Sequence, residues 1–465
     1  MDAVTVPDLR TRLKAALSVG EDDVLGAALT CEQAADVAEV LPLFSDEDRS
    51  RIIYALPART AAELIVMLPE SVRGDVVDDL DGGKITEIVS ELPPDDATDV
   101  VSELDDARTR QVLQTIEPAK SDQIEALLRH DEDSAGGIMT TDVVKLPQDA
   151  TVRDAVHHVR TYSPSEDLHE VFIVDAEGRL SGSVELRHLV TSPRDARLSD
   201  LADPRPHVVT VDTDQEEVLQ QMRKYDLPDI PVVNHRGQLV GLITHDDILD
   251  VAGEEATEDL YRMAGTDPAE RETSSVFRAA GVRLPWIMGC MAVTTVTGLV
   301  MAWQKSHFSL TVYTALSFFV PMIAATCGSS AIQISTVVIR RFAEGDVSRG
   351  GLIRVLRREL PIASLIAIAA AVVSAGLVAF FLPLMIHRLD PGLGAVIDPH
   401  RIASAVGAGM ASAILVAASL GIGLPFLFRS LGFDPAIASG PVVTGLNDVT
   451  SVLVYLCLAS LIMAN

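Results

Sequence analysis

The chain has 465 residues and a formal net charge of -29, with 37 Lys and Arg residues against 66 Asp and Glu residues. This length is too great for one compact core and indicates several domains. The first 280 residues hold 26 basic and 59 acidic residues, whereas the remaining residues hold 11 and 7 within long apolar runs. Such composition excludes a purely soluble protein, argues against nucleic acid as a partner and favours cations.

An apolar residue recurs every twelve positions in the N-terminal part of the chain. The recurring residues are Leu56, Leu68, Leu80, Leu92, Leu104, Ile116 and Leu128. Proline follows three of them directly, at Pro57, Pro69 and Pro93. Because proline suits the first turn of a helix, the pattern predicts a stack of short helices over residues 1–137. Such arrays commonly serve as scaffolds or docking surfaces.

Two 20-residue segments, 171–190 and 230–249, align without a gap at an offset of 59. Each places a glycine turn, at Gly178 or Gly237, between two apolar strands and is followed by a helical stretch. The pattern resembles a tandem pair of CBS domains, which we place at residues 138–200 and 201–252.

The CBS resemblance implies a candidate nucleotide site in the second copy. In that family, Thr and Asp at the positions of Thr244 and Asp247 often hold a nucleotide ribose, so ATP is a candidate ligand. The first copy carries Glu185 and His188 at the matching positions. A dimerising module without a small-molecule ligand is the alternative.

An acidic connecting helix is predicted within residues 253–280, and it leads into five apolar segments within residues 281–465. The segments are 284–303, 311–339, 360–386, 402–428 and 437–463, each long enough to span a bilayer. The loop after the second segment is rich in arginine: Arg340, Arg341, Arg349, Arg354, Arg357 and Arg358. We therefore expect this loop and the N-terminus in the cytoplasm and the C-terminus outside, consistent with the lack of a signal peptide in the first thirty residues.

The last apolar segment carries the only formal charge within any of the five, Asp448. Thr444, Asn447, Asp448 and Ser451 have the spacing of one helix face. An ionised carboxylate in a bilayer normally faces a bundle interior or a water-filled path. The stripe therefore predicts a pore lining, although polar residues that hold helices together are the alternative for Thr and Ser.

The second apolar segment contains a polar break from Cys327 to Gln333. Ser329, Ser330 and Gln333 are candidates for the pore lining, and close helix packing explains the same residues equally well.

The order of these parts resembles the MgtE family of magnesium channels and transporters. The most specific pieces are residues 133–139 (DSAGGIM), residues 255–259 (EATED) and residues 434–441 (DPAIASGP) followed by Asp448. The resemblance implies a multidomain membrane protein: an N-terminal α-helical superhelical repeat domain, tandem α/β CBS domains, a connecting (plug) helix and a five-span all-α transmembrane domain. It also implies a homodimer in the cell membrane, with Asp448 receiving largely hydrated Mg²⁺ in a pore on the two-fold axis.

The family also implies closure of the pore by cytoplasmic Mg²⁺, which bridges acidic residues of the cytosolic domains. The matching candidates are Glu91, Asp95, Asp214, Glu216, Asp226, Asp247, Asp250, Glu255, Glu258 and Asp259. Ion binding would favour the compact state through its differential affinity.

One stretch departs from the family. Its second span usually reads Gly-Asn-Ala-Gly-Asn-Gln, whereas this chain has Gly328-Ser-Ser-Ala-Ile-Gln333 and lacks both asparagines. Ion selectivity is therefore open, and a pathway for Mn²⁺ or Co²⁺ is an alternative, as is a receptor whose spans anchor a metal sensor. An enzyme is not expected, because none of the eleven histidines lies in an apolar segment and a His-Glu-x-x-His motif is absent.

Overall fold

The computed structural model describes residues 6–19, 22–29, 32–162, 168–267, 276–343, 351–389, 398–438 and 440–464. The chain forms two compact units, residues 1–254 and 255–465, which are described separately. Arg349, which contributes to the predicted orientation, lies outside the described residues.

The first unit begins with the predicted stack of short helices, which is confirmed. The helices are α1 (Val6–Val19), α2 (Asp22–Leu29), α3 (Ala34–Val40), α4 (Asp46–Ala55), α5 (Ala58–Val66), α6 (Glu70–Asp79), α7 (Gly82–Glu91), α8 (Pro94–Ser102), α9 (Asp106–Thr115) and α10 (Pro118–Leu127). Leu56, Leu80 and Leu92 end their helices in an extended conformation and are buried. One continuous apolar core runs from Leu9 to Ile124.

A basic residue on each of three helices bonds the end of the helix three places earlier in the stack, at a constant spacing of 28 residues. Lys84 Nζ donates a hydrogen bond to the Leu56 carbonyl oxygen at 3.3 Å. Arg108 makes the same contact with the Leu80 carbonyl oxygen, and Lys120 with that of Leu92. Cations at these ends satisfy the last carbonyls of a helix and interact favourably with its dipole.

The next part of the unit contains two three-stranded sheets with the same topology. They comprise β1 (Lys145–Pro147), β2 (Glu170–Val174) and β3 (Leu180–Glu185), then β4 (Val209–Thr210), β5 (Asp229–Val233) and β6 (Leu239–Thr244). The first two strands of each sheet are parallel and the last two antiparallel. The accompanying helices are α11 (Val152–Tyr162), α12 (Leu186–Thr191), α13 (Leu198–Leu201) and α14 (Gln215–Tyr225).

The two hairpin turns of these sheets lie against each other. Gly178 and Gly237 both have positive φ, the conformation that glycine adopts without steric cost. The amide of Leu180 bonds the Gly237 carbonyl at 3.0 Å, and that of Leu239 bonds the Gly178 carbonyl at 3.1 Å. The 59-residue offset therefore corresponds to pseudo-symmetric hydrogen bonding in the tandem CBS pair.

The connecting helix, α15, spans His245–Ala264 and so begins earlier than the predicted residue 253. The Asp247 carboxylate accepts a hydrogen bond from the Thr244 amide at 3.2 Å, which caps the helix immediately after β6. No proline or loop follows to interrupt it, and α15 is continuous across the boundary between the CBS region and the connecting segment.

The second unit contains the predicted five membrane spans, which are confirmed. Its long helices are α16 (Val276–Gln304), α17 (Leu310–Ser317), α18 (Val320–Ala343), α19 (Gly351–Leu389), α20 (Pro399–Ser430) and α21 (Pro441–Ala464). Five candidate spans have the length and hydropathy to cross a membrane: Val276–His307, Leu310–Ala343, Gly351–Leu384, Pro399–Ser430 and Pro435–Ala464. The second predicted span is divided into α17 and α18, since the helix is interrupted just before Val320 and Pro321.

Candidate ion pathway and acidic cluster

The polar stripe of α21 lies against the glycine in the polar break of α18. A Cβ atom built on Gly328 would lie 3.7 Å from Asn447 Nδ2 and 3.8 Å from Thr444 Cγ2. Asp448 is close enough to Cys327 to interact with it electrostatically. The structure therefore brings together the two polar segments that the sequence singles out in different spans.

The stripe is divided between buried and accessible positions. Asn447 and Ser451 are 0% exposed, whereas Thr444 and Asp448 are half-buried. Both amide atoms of Asn447 and the hydroxyl of Ser451 have no hydrogen-bond partner among the described residues. Buried polar atoms are costly unless hydrogen-bonded, so these groups call for water or a ligand.

The candidates on α18 point in different directions. Ser330 is buried within the unit, whereas Ser329 and Gln333 are exposed on a face that the described residues do not cover. The latter two are four residues apart and therefore on the same side of the helix.

The end of the connecting helix is bonded to the start of the last span. The Arg262 guanidinium forms ion pairs with Glu258 on its own helix and with Asp434. Asp434 in turn accepts a hydrogen bond from the Ala436 amide at 2.7 Å. The two backbones also approach closely, because a Cβ on Gly440 would lie 2.2 Å from the Met263 carbonyl oxygen. Of the other predicted sensor acids on α15, Glu255 and Asp259 are half-buried.

An acidic cluster lies between α8 of the helical domain and the start of α15, within the first unit. Its carboxylates interact electrostatically across the two elements: Asp96, Asp99, Asp246, Asp247, Asp250 and Glu254. Arg73 offsets part of this charge, but its Nε is bonded to Glu103 at 2.6 Å. Sequence reasoning included Asp247 and Asp250 but not the two acids on α8, Asp246 or Glu254.

Desolvation and mutual repulsion raise the pKa values in this cluster. Burial, followed by the charges of Asp246 and Asp250, raises the pKa of Asp96 to about 6. Desolvation chiefly raises the pKa of Asp99 to about 7, and desolvation with nearby carboxylates also raises that of Asp247 to about 7. Asp99 is nevertheless open to solvent at the edge of the cluster, so an ion can reach it.

The two α8-region acids chosen from the sequence lie elsewhere. Glu91 and Asp95 interact with Lys120, which binds the carbonyl ends of α7. Their neighbours Asp96 and Asp99 instead interact with the CBS carboxylates. A shift of one residue along a short helix rotates the side chain by about 100°.

The remaining predicted acids of the second CBS domain lie at the ends of α14. Asp214 caps this helix by accepting a hydrogen bond from the Glu216 amide at 2.9 Å. Glu216 accepts one from Gln220 at 3.1 Å. Asp226 is exposed at the other end, in a left-handed conformation.

The candidate ribose ligands, Thr244 and Asp247, are bonded to each other. The Thr244 hydroxyl lies 2.6 Å from Asp247 Oδ2 and 2.6 Å from Asp246 Oδ1. A nucleotide at this position would therefore have to share Asp247 with the helix cap and the acidic cluster.

In the part of the chain that the structure describes, no three His, Cys, Asp or Glu side chains are grouped closely enough to hold a metal ion. Mg²⁺ usually keeps several waters and is bound through one or two carboxylates.

Comparison with known families divides the chain into four matching regions. Residues 320–458 match the MgtE family, described as a divalent cation transporter, and residues 32–133 match the MgtE intracellular N domain. Residues 135–194 and 198–254 each match the CBS domain.

Individual relatives extend over most of the chain. The magnesium transporter MgtE of Thermus thermophilus is 33% identical over 353 residues, covering 75% of this chain and 74% of the relative. That of Enterococcus faecalis is 32% identical over 342 residues, covering 73% and 72%. A crystal structure of the cytosolic domain of the Mg²⁺ channel MgtE in complex with ATP covers 52% of this chain and 99% of that chain, with 31% identity and a TM-score of 0.50. Together with the five apolar spans, these matches identify the protein as a multi-pass membrane protein that belongs to the MgtE family.

Proposed function

We propose that the protein transports Mg²⁺ across the cell membrane through a pore that two copies form along α21. The observation that carries the proposal is Asp448, a half-buried acid in an otherwise uncharged apolar segment, beside the polar break of α18. An acid in a membrane span is costly unless it faces water or a cation. The names of the relatives, magnesium transporters, support the choice of ion.

The outward face of α18 supports the dimer. Ser329 and Gln333 are exposed on this face, in a helix that crosses the hydrocarbon region. Polar side chains at that depth are stable where protein or water satisfies them rather than lipid. A second copy related by a two-fold axis would cover this face and place a second Asp448 near the first.

The orientation follows from the arginines at the ends of α18 and α19. Arg340, Arg341, Arg354, Arg357 and Arg358 lie at these ends. The positive-inside rule puts them in the cytoplasm, together with the acidic first unit, and puts the C-terminus outside.

The test is ion flux into proteoliposomes that contain the wild type or Asp448→Asn, with Mn²⁺, Co²⁺ and Ca²⁺ as competitors. Thr450→Val is a matched control, since the Thr450 hydroxyl bonds to its own helix at Leu446. Loss of Mg²⁺ flux in Asp448→Asn alone supports the proposal. Preferred Mn²⁺ or Co²⁺ flux would favour a transporter of those ions, and flux that is indifferent to Asp448 would refute the pathway and leave the membrane-anchored sensor.

We further propose that cytoplasmic Mg²⁺ regulates the pathway by binding at the acidic cluster. The ion would neutralise carboxylates on α8 and at the start of α15, so it would favour the state in which these elements are close. Glu255, Glu258 and Asp259 on α15 remain predicted sensor residues, and Glu258 is already paired with Arg262. Mg²⁺ should protect α8 and α15 from protease in the wild type and protect them less in Asp99→Asn; equal protection with and without the ion would contradict regulation at this cluster.

ATP is proposed as a second ligand of the CBS pair, because the cytosolic domain of a relative was crystallised in complex with it. Thr244 and Asp247 are the proposed ribose contacts. Titration calorimetry of ATP into the wild type and Thr244→Val checks this: weaker binding in the variant is expected, and unchanged binding would move the site elsewhere.

A further inference from the structure

The break between α17 and α18 is bonded to the last span through a buried tyrosine. The Tyr455 hydroxyl, on α21, donates a hydrogen bond to the Leu316 carbonyl oxygen at 3.0 Å. That carbonyl, in the last turn of α17, also accepts a bond from the Phe319 amide at 3.1 Å, which is three residues ahead instead of the four of a regular α-helix. Because unpaired backbone groups are costly in the hydrocarbon region, the hydroxyl stabilises the chain at the point where the helix is interrupted.

The ring of Tyr455 is fixed by close packing. Tyr455 is 0% exposed and is the largest of the fully buried side chains among the described residues. Gly409 of α20 makes room for the ring, since a Cβ atom at this glycine would lie 2.4 Å from Tyr455 Cδ2. The contact between α20 and α21 therefore holds the hydroxyl in one place.

Tyr455 connects the two helices that carry the candidate pathway. It follows Asp448 by seven residues, so the two side chains lie on the same side of α21 and about 10 Å apart along the helix axis. On the other side of the bond, α18 follows the break directly and carries Gly328, which lies against Asn447. The bond thus ties the helix with the polar break to the helix with the acid.

We propose that Tyr455 is a positioning residue that holds α18 at the spacing from α21 at which Asp448 receives the ion. This inference rests on the proposed function and goes further, because it assigns a role in transport to a side chain two helical turns from the acid. Without the hydroxyl bond, the break adopts other positions, and the competent spacing is populated for a smaller fraction of the time. The apparent affinity for the ion falls by that fraction, whereas saturating ion restores the competent spacing.

Tyr455→Phe removes the hydroxyl and keeps the ring. Tyr313→Phe is the matched control, because the Tyr313 hydroxyl of α17 donates the same kind of bond, to the Met301 carbonyl of α16 at 2.9 Å, without involving α21. One hydrogen bond corresponds to about a fivefold change in an equilibrium, so the half-saturating Mg²⁺ concentration for flux should rise about two- to fivefold in Tyr455→Phe, with little change in maximal flux. Tyr313→Phe should lower the melting temperature to a similar extent and leave the half-saturating concentration unchanged.

Gly409→Ala tests the same contact and keeps the hydroxyl. The added Cβ would displace the Tyr455 ring, so the half-saturating concentration should rise here as well. Gly423→Ala on the same helix is its control, since a Cβ at that glycine would meet no described atom within 4 Å.

The experiment measures Mg²⁺ influx over a range of concentrations in proteoliposomes of the full-length wild type, these four variants and Asp448→Asn. Size-exclusion chromatography and thermal melts first check that each variant is folded; if Gly409→Ala is not, Tyr455→Phe against Tyr313→Phe decides. Equal half-saturating concentrations in these two tyrosine variants would overturn the inference. A fall in maximal flux alone would also overturn it, because a merely structural loss reduces the number of active molecules and not their affinity.

Asp448→Asn separates this failure from that of the pathway. If Asp448→Asn abolishes flux while Tyr455→Phe behaves like Tyr313→Phe, only the positioning role is refuted. If Asp448→Asn transports Mg²⁺ normally, the proposed pathway itself is refuted, and the positioning role with it.

Discussion

Neutralising Asp96 should stabilise the first unit, residues 1–254, at neutral pH. Asp96 is half-buried on α8 and faces Asp246 and Asp250. Desolvation and these charges raise its pKa from 3.8 to about 6. An ionised Asp96 therefore lowers the free energy of unfolding. Asp96→Asn removes the charge and preserves the shape of the side chain.

The magnitude follows from the shift in pKa. A rise of about two units corresponds to at most about 3 kcal/mol of stability, which is lost as the pH rises through 6. Below about pH 4 the carboxyl is protonated in both the folded and the unfolded state, and the cost disappears. For a domain of this size, 1 kcal/mol shifts Tm by about 2 to 4 °C, so we expect Asp96→Asn to raise Tm by about 5 °C at pH 8 and hardly at all at pH 4.

Thermal melts of the first unit of the wild type and of Asp96→Asn, at pH 8 and pH 4, measure this difference in Tm. The corresponding domain of a relative was crystallised by itself, which supports the use of the isolated unit. Asp122→Asn, at an exposed position on α10, is the matched control. Mg²⁺ should stabilise the wild type more than Asp96→Asn, because the ion relieves repulsion that the variant lacks. Equal Tm values for wild type and Asp96→Asn at pH 8 would refute the reasoning.

Three other substitutions test contacts that position the site. Arg108→Met removes bonds to three carbonyls at the end of α6 and should cost about 1 to 3 kcal/mol, whereas the exposed Arg110→Met should have little effect in the same denaturant titration. Arg262→Gln should raise Mg²⁺ flux about fivefold at high cytoplasmic Mg²⁺, because it breaks the ion pair that holds α15 to the last span. The double variant Arg262→Gln with Asp434→Asn should show nearly the same flux, and additive effects of the two substitutions would exclude a coupled pair. Gly440→Ala should act in the same direction, since its Cβ would clash with a carbonyl of α15, and unchanged flux would show that the close approach is dispensable.

The sequence was sufficient to predict the elements whose periodicity or composition is strong. The twelve-residue spacing predicted the helical stack, and the 59-residue offset predicted two similar pairs of strands that turn at Gly178 and Gly237. That the two turns bond each other is a finding of the structure. Hydropathy predicted five spans, and the spacing of the polar residues in α21 predicted that they share one helix face. The partner of that face, Gly328, could not be predicted in the same way, because helix periodicity gives the direction of a side chain and not the helix that it contacts.

The sequence was less informative about which acids form the acidic cluster. Glu91 and Asp95 were expected from family position, yet Asp96 and Asp99 are the residues that face the CBS carboxylates. On a helix of nine residues, neighbouring acids point in different directions, and only the packing of α8 decides between them.

The repeat itself contains a signal that distinguishes Asp96. The repeats that begin at Leu56 and Leu68 have the uncharged Thr60 and Val72 four positions after the recurring apolar residue. Those that begin at Leu80, Leu104 and Ile116 have Lys84, Arg108 and Lys120 there, each bonded to a carbonyl 28 residues earlier. The same position in the intervening repeat is Asp96, which cannot donate such a bond and is disfavoured near the negative end of a helix. When a residue breaks a stabilising pattern of its own domain, a functional contact with another element is the expected reason. Under the proposed regulation, a cation between Asp96 and the carboxylates of Asp246 and Asp250 supplies that partner. The acid among the basic residues of the later repeats thus places the proposed cation site on α8, where that site would also affect the packing of the domain.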